Sequence, residues 1–137
     1  MYLTFLTFLP LLGAILLTLI PRDEVGAIKQ TALAFAVTDF VLSVFLWTNF
    51  DLTTHEMQFE YSVPWITSWG INYHVGLDGI SLLLYVMTTF LTMISIIASW
   101  GVTKYIREYM IAFLALSTGM LGVFISLDMF LFYFFWE

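Results

Sequence analysis

Four long apolar runs separated by short polar links decide what this chain can fold into. Residues 2–20, 28–50, 80–100 and 109–127 carry almost no charge. A helix needs about 20 apolar residues to cross a hydrocarbon core of roughly 30 Å. Each run meets that length. A fifth run opens at Met129 as MFLFYFFWE and reaches Glu137. The pattern predicts an all-α fold, a polytopic bundle of transmembrane helices in a single membrane domain. The first run has no basic leader and no small-residue cleavage site, so it reads as a helix and not as a signal peptide. Pro10 inside it predicts a kink.

Composition agrees. Of 137 residues, 61% are hydrophobic and 10% charged, and the mean hydropathy is +0.97. A soluble domain holds roughly 25% charged residues, and a soluble chain this short has no way to keep so much apolar surface from water. Four basic residues stand against ten acidic ones, for a net charge of -6. That balance offers no footprint for nucleic acid. The absence of cysteine excludes thiolate-ligated redox centres. No cofactor is expected in this chain.

The basic residues give a topology. Arg22 and Lys29 flank the first link, and Lys104 and Arg107 belong to the third. The positive-inside rule places both links in the cytoplasm. The N-terminus, the segment 51–74 and Asp128 then lie outside. In that outer segment Phe59, Tyr61, Val63 and Trp65 alternate with polar residues or Pro64. Ile71, Tyr73 and Val75 alternate again after Trp69-Gly70. Period-two alternation around a small-residue break reads as a small β-hairpin; the other reading is a loop lying over the helix ends.

Few residues are candidates for chemistry. Glu137 follows Asp128 by nine residues, which at about 1.5 Å per residue puts it roughly 13 Å deep, near the midplane of the core. A carboxylate there costs about 3 kcal/mol on insertion scales, and such residues belong by default to ion or proton pathways. The run 129–137 is too short to span a bilayer, so either it lies on the surface or the chain is part of a longer one, and the longer chain is the expectation. Asp39 sits in the middle of the second run. It reads either as a functional carboxyl or as a protonated or hydrogen-bonded aspartate facing Thr38, Ser43 or a neighbouring helix. Asp78 and Asp128 stand where helix caps are needed. His55 and His74 lack carboxylates at ligand spacing, so no metal site is expected. Ser117, Thr118, Gly119 and Gly122 form a small-residue stripe suited to close helix packing.

The segment Val75-Gly76-Leu77-Asp78-Gly79-Ile80-Ser81-Leu82 resembles the segment opening the third helix of the antiporter-like subunits of respiratory complex I. Arg107-Glu108-Tyr109, Gly119-Met120-Leu121-Gly122-Val123-Phe124 and the stretch from Leu127 to Trp136-Glu137 resemble the N-terminal part of subunit M of NADH:quinone oxidoreductase, the counterpart of mitochondrial NADH dehydrogenase subunit 4. The resemblance implies a fold of about fourteen helices with two inverted repeats, each holding a broken helix. It implies a proton-translocating membrane subunit with no redox centre of its own, in a complex whose quinone reduction takes place elsewhere. Its partners would be the lipid bilayer, other membrane subunits and, indirectly, the redox subunits of the peripheral arm. Its location would be the cell inner membrane. In the family the glutamate of the F-W-E segment pairs with a lysine on a later helix, and only that glutamate, Glu137, has a position here. Two other readings stand beside this one. One is a subunit of a Mrp-type cation/proton antiporter or membrane-bound hydrogenase. The other is a structural membrane anchor.

Overall fold

The computed structural model describes all residues, 1–137. It contains helices α1 (Tyr2–Leu19), α2 (Val25–Thr48), α3 (Gly79–Ala98), α4 (Ile106–Ile125) and α5 (Met129–Trp136). Strands β1 (Gln58–Ile66) and β2 (Ile71–Leu77) lie between α2 and α3. The chain is therefore all-α with one two-stranded hairpin. The first four helices are long and apolar enough to cross a membrane. Helix α1 runs unbroken through Pro10. Helix α2 begins three residues before its apolar run, because the Ile28 amide already donates to the Glu24 carbonyl at 3.0 Å.

The four long helices form a bundle in which α1 and α3 each pack on α2 and α4. Their outward faces are apolar: Phe5, Ile15, Val41, Phe45, Leu83, Met87, Ile97 and Leu116 are all exposed. In water that surface would aggregate, whereas in lipid it is the expected coat. Hydroxyls on these faces fold back on their own helices. Thr18, Thr38, Thr48 and Thr88 donate to the carbonyls of Ile15, Ala34, Phe45 and Leu84 at 2.6–2.8 Å. These four hydroxyls are thereby satisfied within their own helices.

Two apolar cores fill the bundle. One, at the hairpin end, contains Leu3, Leu6, Leu46, Val75, Tyr85 and Leu121. The other, at the opposite end, contains Leu17, Ile28, Ala32, Ile96, Met110 and Leu114. Seven buried polar side chains, Thr7, Asp39, Ser43, Thr89, Thr92, Ser117 and Thr118, lie between the two cores along their helices, and an eighth, Lys29, lies at the opposite end.

The hairpin is antiparallel, with Tyr61 opposite Val75, Val63 opposite Tyr73 and Ile66 opposite Ile71. Gly70 turns the chain at φ 67°, a left-handed conformation that glycine adopts without strain. The corner between α4 and α5 joins the sheet. Ser126 bridges to Val75, and the Leu127 amide donates to the His74 carbonyl at 2.9 Å. The hairpin thus fixes where α5 starts.

Candidate functional site at the end of α5

Asp128 begins the site. One of its oxygens, Oδ1, accepts from the amides of Phe130 (2.9 Å) and Leu131 (3.3 Å), capping α5. The other, Oδ2, accepts from the Asn72 amide of β2 at 3.3 Å. Partial burial works against the ionised form, but these amide hydrogen bonds prevail and hold the carboxyl below the ordinary aspartate range. One side chain therefore caps the helix and also clasps it to the hairpin.

Aromatic packing sets the tilt of α5. Trp65 of β1 meets Phe130 and Phe134 edge to face, with ring centres 6.1 and 6.0 Å apart. Phe135 reaches Phe8 of α1 at 6.0 Å on one side. On another it lies over Gly122 of α4, where a β-carbon would overlap its ring. The expected close packing along the small-residue stripe is thus realised at Gly122.

Glu137 follows directly. Its amide donates to the Tyr133 carbonyl at 3.1 Å, continuing the helix by one residue. Its side chain is exposed and borders an open groove of about 470 Å³ between α4 and α5, lined by Gly119, Met120, Val123 and Phe135 among others. No cation of this chain approaches it. All four are engaged at the far end of the bundle. Arg22 pairs with Glu108 at 2.7 Å, and Arg107 donates to the Ile20 carbonyl at 3.2 Å. Lys29 donates to the Trp100 carbonyl at 2.6 Å, and Lys104 lies 5.5 Å from the centre of the Tyr105 ring.

Asp39 stands apart from this groove. It is 2% exposed, and its Oδ1 has no hydrogen-bond partner. Of the expected partners, neither Thr38 nor Ser43 hydrogen-bonds to it, although Ser43 is buried one turn along the same face of α2. Thr38 bonds its own helix at Ala34, and Ser43 bonds Phe40 and Thr89. The structure adds a set of interior hydroxyl pairs that the sequence reading missed: Thr7 with Tyr85, Ser43 with Thr89 and Thr92 with Ser117, at 3.2, 2.7 and 3.2 Å. Asp78 caps α3 by accepting from the Ser81 amide at 2.7 Å, which lowers its pKa. His74 Nε2 lies 3.6 Å from Glu60 Oε1 on the hairpin surface.

No protein-family model matches the sequence. Individual relatives do. It is 41% identical over 129 residues to NADH-ubiquinone oxidoreductase chain 4 of Arabidopsis thaliana, a match covering 93% of this chain and 26% of that protein. It is 42% identical over 139 residues to NADH-quinone oxidoreductase subunit M of Rhodobacter capsulatus, covering 98% of this chain and 27% of that one. The chain is a sequence relative of subunit M and chain 4. It spans about a quarter of the length of these curated relatives. The fold agrees with that kinship. A chain of respiratory complex I from Thermus thermophilus with bound NADH superposes with a TM-score of 0.76 at 24% identity, covering all of this chain and 26% of its own.

Proposed function

We propose that this chain works as part of a proton-translocating membrane subunit of a NADH:quinone oxidoreductase. The supporting observation is a carboxylate, Glu137, at the end of an apolar helix whose start is fixed by Asp128 and the hairpin; at about 1.5 Å per residue that helix would carry it roughly 13 Å into the membrane. The sequence kinship to subunit M and chain 4 names the kind of complex. The 137 residues act as one membrane unit, working with helices of the same complex that they do not themselves contain.

The chemistry follows from electrostatics. In a low-dielectric setting a carboxylate without a counter-ion binds a proton readily, and an approaching cation drives that proton off. Glu137 then takes a proton when a cation withdraws and releases it when the cation returns. The cation comes from outside this chain, since its own four are held at the far end. Electrons pass elsewhere in the complex. Quinone reduction reaches this chain only as movement or a change of charge.

The positive-inside rule orients the unit in the cell inner membrane, with the arginine and lysine links in the cytoplasm and the hairpin and N-terminus outside. The test is Glu137→Gln in the complete complex. The expected result is normal assembly and quinone reduction, with NADH-driven proton uptake into inverted vesicles lost or strongly lowered. Normal proton uptake in the assembled variant overturns the assignment.

A further inference from the structure

The buried polar groups between the two apolar cores contain a titratable side chain that the Glu137 site does not use. We propose that Asp39 is a second proton-binding site of this chain, exchanging with the hairpin end of the bundle past the Thr7–Tyr85 hydroxyl pair. Four observations carry it. Asp39 is 2% exposed, and its Oδ1 has no hydrogen-bond partner. A buried carboxyl oxygen without a hydrogen-bond partner is costly, and a bound proton removes the charge that makes it so. Asp39 lies nine residues before the hairpin end of α2, about 13 Å along the helix. The Tyr85 hydroxyl, six residues in from the hairpin end of α3, about 9 Å along it, pairs with Thr7 of α1 at 3.2 Å, and α3 packs against α2. Nearer the hairpin, the Tyr73 hydroxyl of β2 donates to Thr4 of α1 at 3.0 Å. Thr4 and Thr7 are one helical turn apart, so these O–H groups descend from the hairpin toward Asp39.

The surroundings favour a neutral-to-anionic cycle and offer no fixed ion pair. Helix α2 packs against α1, α3 and α4. From α3 the titratable group is Tyr85. From α1 it is Tyr2, whose hydroxyl donates to the Leu42 carbonyl. From α4 the buried half offers only the hydroxyls of Ser117 and Thr118, while Arg107, Glu108 and Tyr109 stand at its opposite end. Lys29, on the same helix as Asp39, is bound to Trp100 at that opposite end. Binding adds one proton to a carboxylate oxygen and removes one negative charge, and release reverses this. The site is independent of the role of Glu137 and does not fail with it.

The test is infrared difference spectroscopy of the complete complex in its membrane, after a pH jump in light and heavy water. A carboxylic C=O band should appear as pH falls and shift in heavy water. It should be lost in Asp39→Asn, kept in Glu137→Gln and slowed in its exchange by Tyr85→Phe. If Asp39→Asn does not assemble, Asp39→Glu should move the band's frequency and midpoint. The proposal is overturned by a band unchanged in both Asp39 variants, by the absence of any titrating band, or by a band removed by added Na⁺ at fixed pH. Exchange unaffected by Tyr85→Phe overturns the path. Loss of proton uptake in Glu137→Gln with the Asp39 band intact separates the two sites.

Discussion

Gly122 of α4 receives the ring of Phe135, two residues before Glu137, and a β-carbon at position 122 would occupy the space the ring fills. The last turn of α5 is therefore held against α4 by the absence of one side chain. Gly122→Ala is expected to destabilise this contact by about 1–3 kcal/mol, the usual range for overpacking. It should also lower proton uptake, because Glu137 moves with Phe135. Adding Phe135→Leu makes room and should recover part of both losses, since the two positions are in direct contact. Thermal stability and vesicle proton uptake of the single and double variants check this. Gly119, whose added β-carbon would make only ordinary contact with the Phe135 carbonyl at 3.5 Å, should tolerate alanine.

Asp78 caps α3 through the Ser81 amide at 2.7 Å, and that hydrogen bond depresses its pKa. A carboxyl whose folded pKa is lowered stabilises the folded state fully above its unfolded value, about 3.9. That contribution is lost as pH falls below this value and through the folded pKa. Asp78→Ala should destabilise the hairpin end of α3 by about 1 kcal/mol at neutral pH and remove this acid sensitivity. Amide exchange at Ser81, measured against pH in wild type and variant, reads both effects. Loss of proton uptake with assembly intact would show that Asp78 does more than cap.

The helices were legible because membrane crossing demands about 20 apolar residues in a row, and little else in a sequence looks like that. The hairpin was one of two readings of the outer segment, and the alternation from Phe59 to Trp65 and from Ile71 to Val75 is what favoured it over a loop. The start of α2 was misjudged by three residues, since apolarity marks the hydrocarbon while the backbone ladder extends into water at Val25. Which of its possible neighbours Asp39 faces was left open by the sequence. Thr38 adjoins it in sequence, but successive helical residues are turned about 100° apart, so Thr38 points elsewhere. The Thr7–Tyr85 pair joins residues on different helices, and no local pattern in the sequence announces such a pair. The helix that carries Glu137 was readable from the apolar run after Asp128. The pocket that Gly122 offers to Phe135 was not, although Gly122 belonged to the small-residue stripe.

Asp128 joins the start of α5 to Asn72 of β2 as well as capping α5. Asp128→Ala should therefore loosen two elements at once. Amide exchange should accelerate at Phe130 and Leu131 and also at Asn72, and proton uptake should fall because α5 loses its anchor. Asp128→Asn keeps an oxygen at the cap and should restore much of the protection at Phe130. Acceleration at Phe130 alone would show that the clasp to the hairpin carries no load.

Thr7 and Tyr85 share a hydroxyl–hydroxyl contact of 3.2 Å in the interior, with both side chains fully buried. Thr7→Val removes the threonine hydroxyl at nearly constant volume, and Tyr85→Phe removes only the phenolic oxygen. Either single change leaves a buried hydroxyl without this partner, and should be destabilising by about 1–3 kcal/mol. Removing both leaves no unsatisfied group there, so the double variant should be less destabilised than the sum of the singles. The coupling should amount to about 0.5–1.5 kcal/mol, the net range of a typical hydrogen bond. Thermal unfolding of the four proteins in one detergent closes this cycle. Strict additivity would mean that the two hydroxyls do not bond to each other.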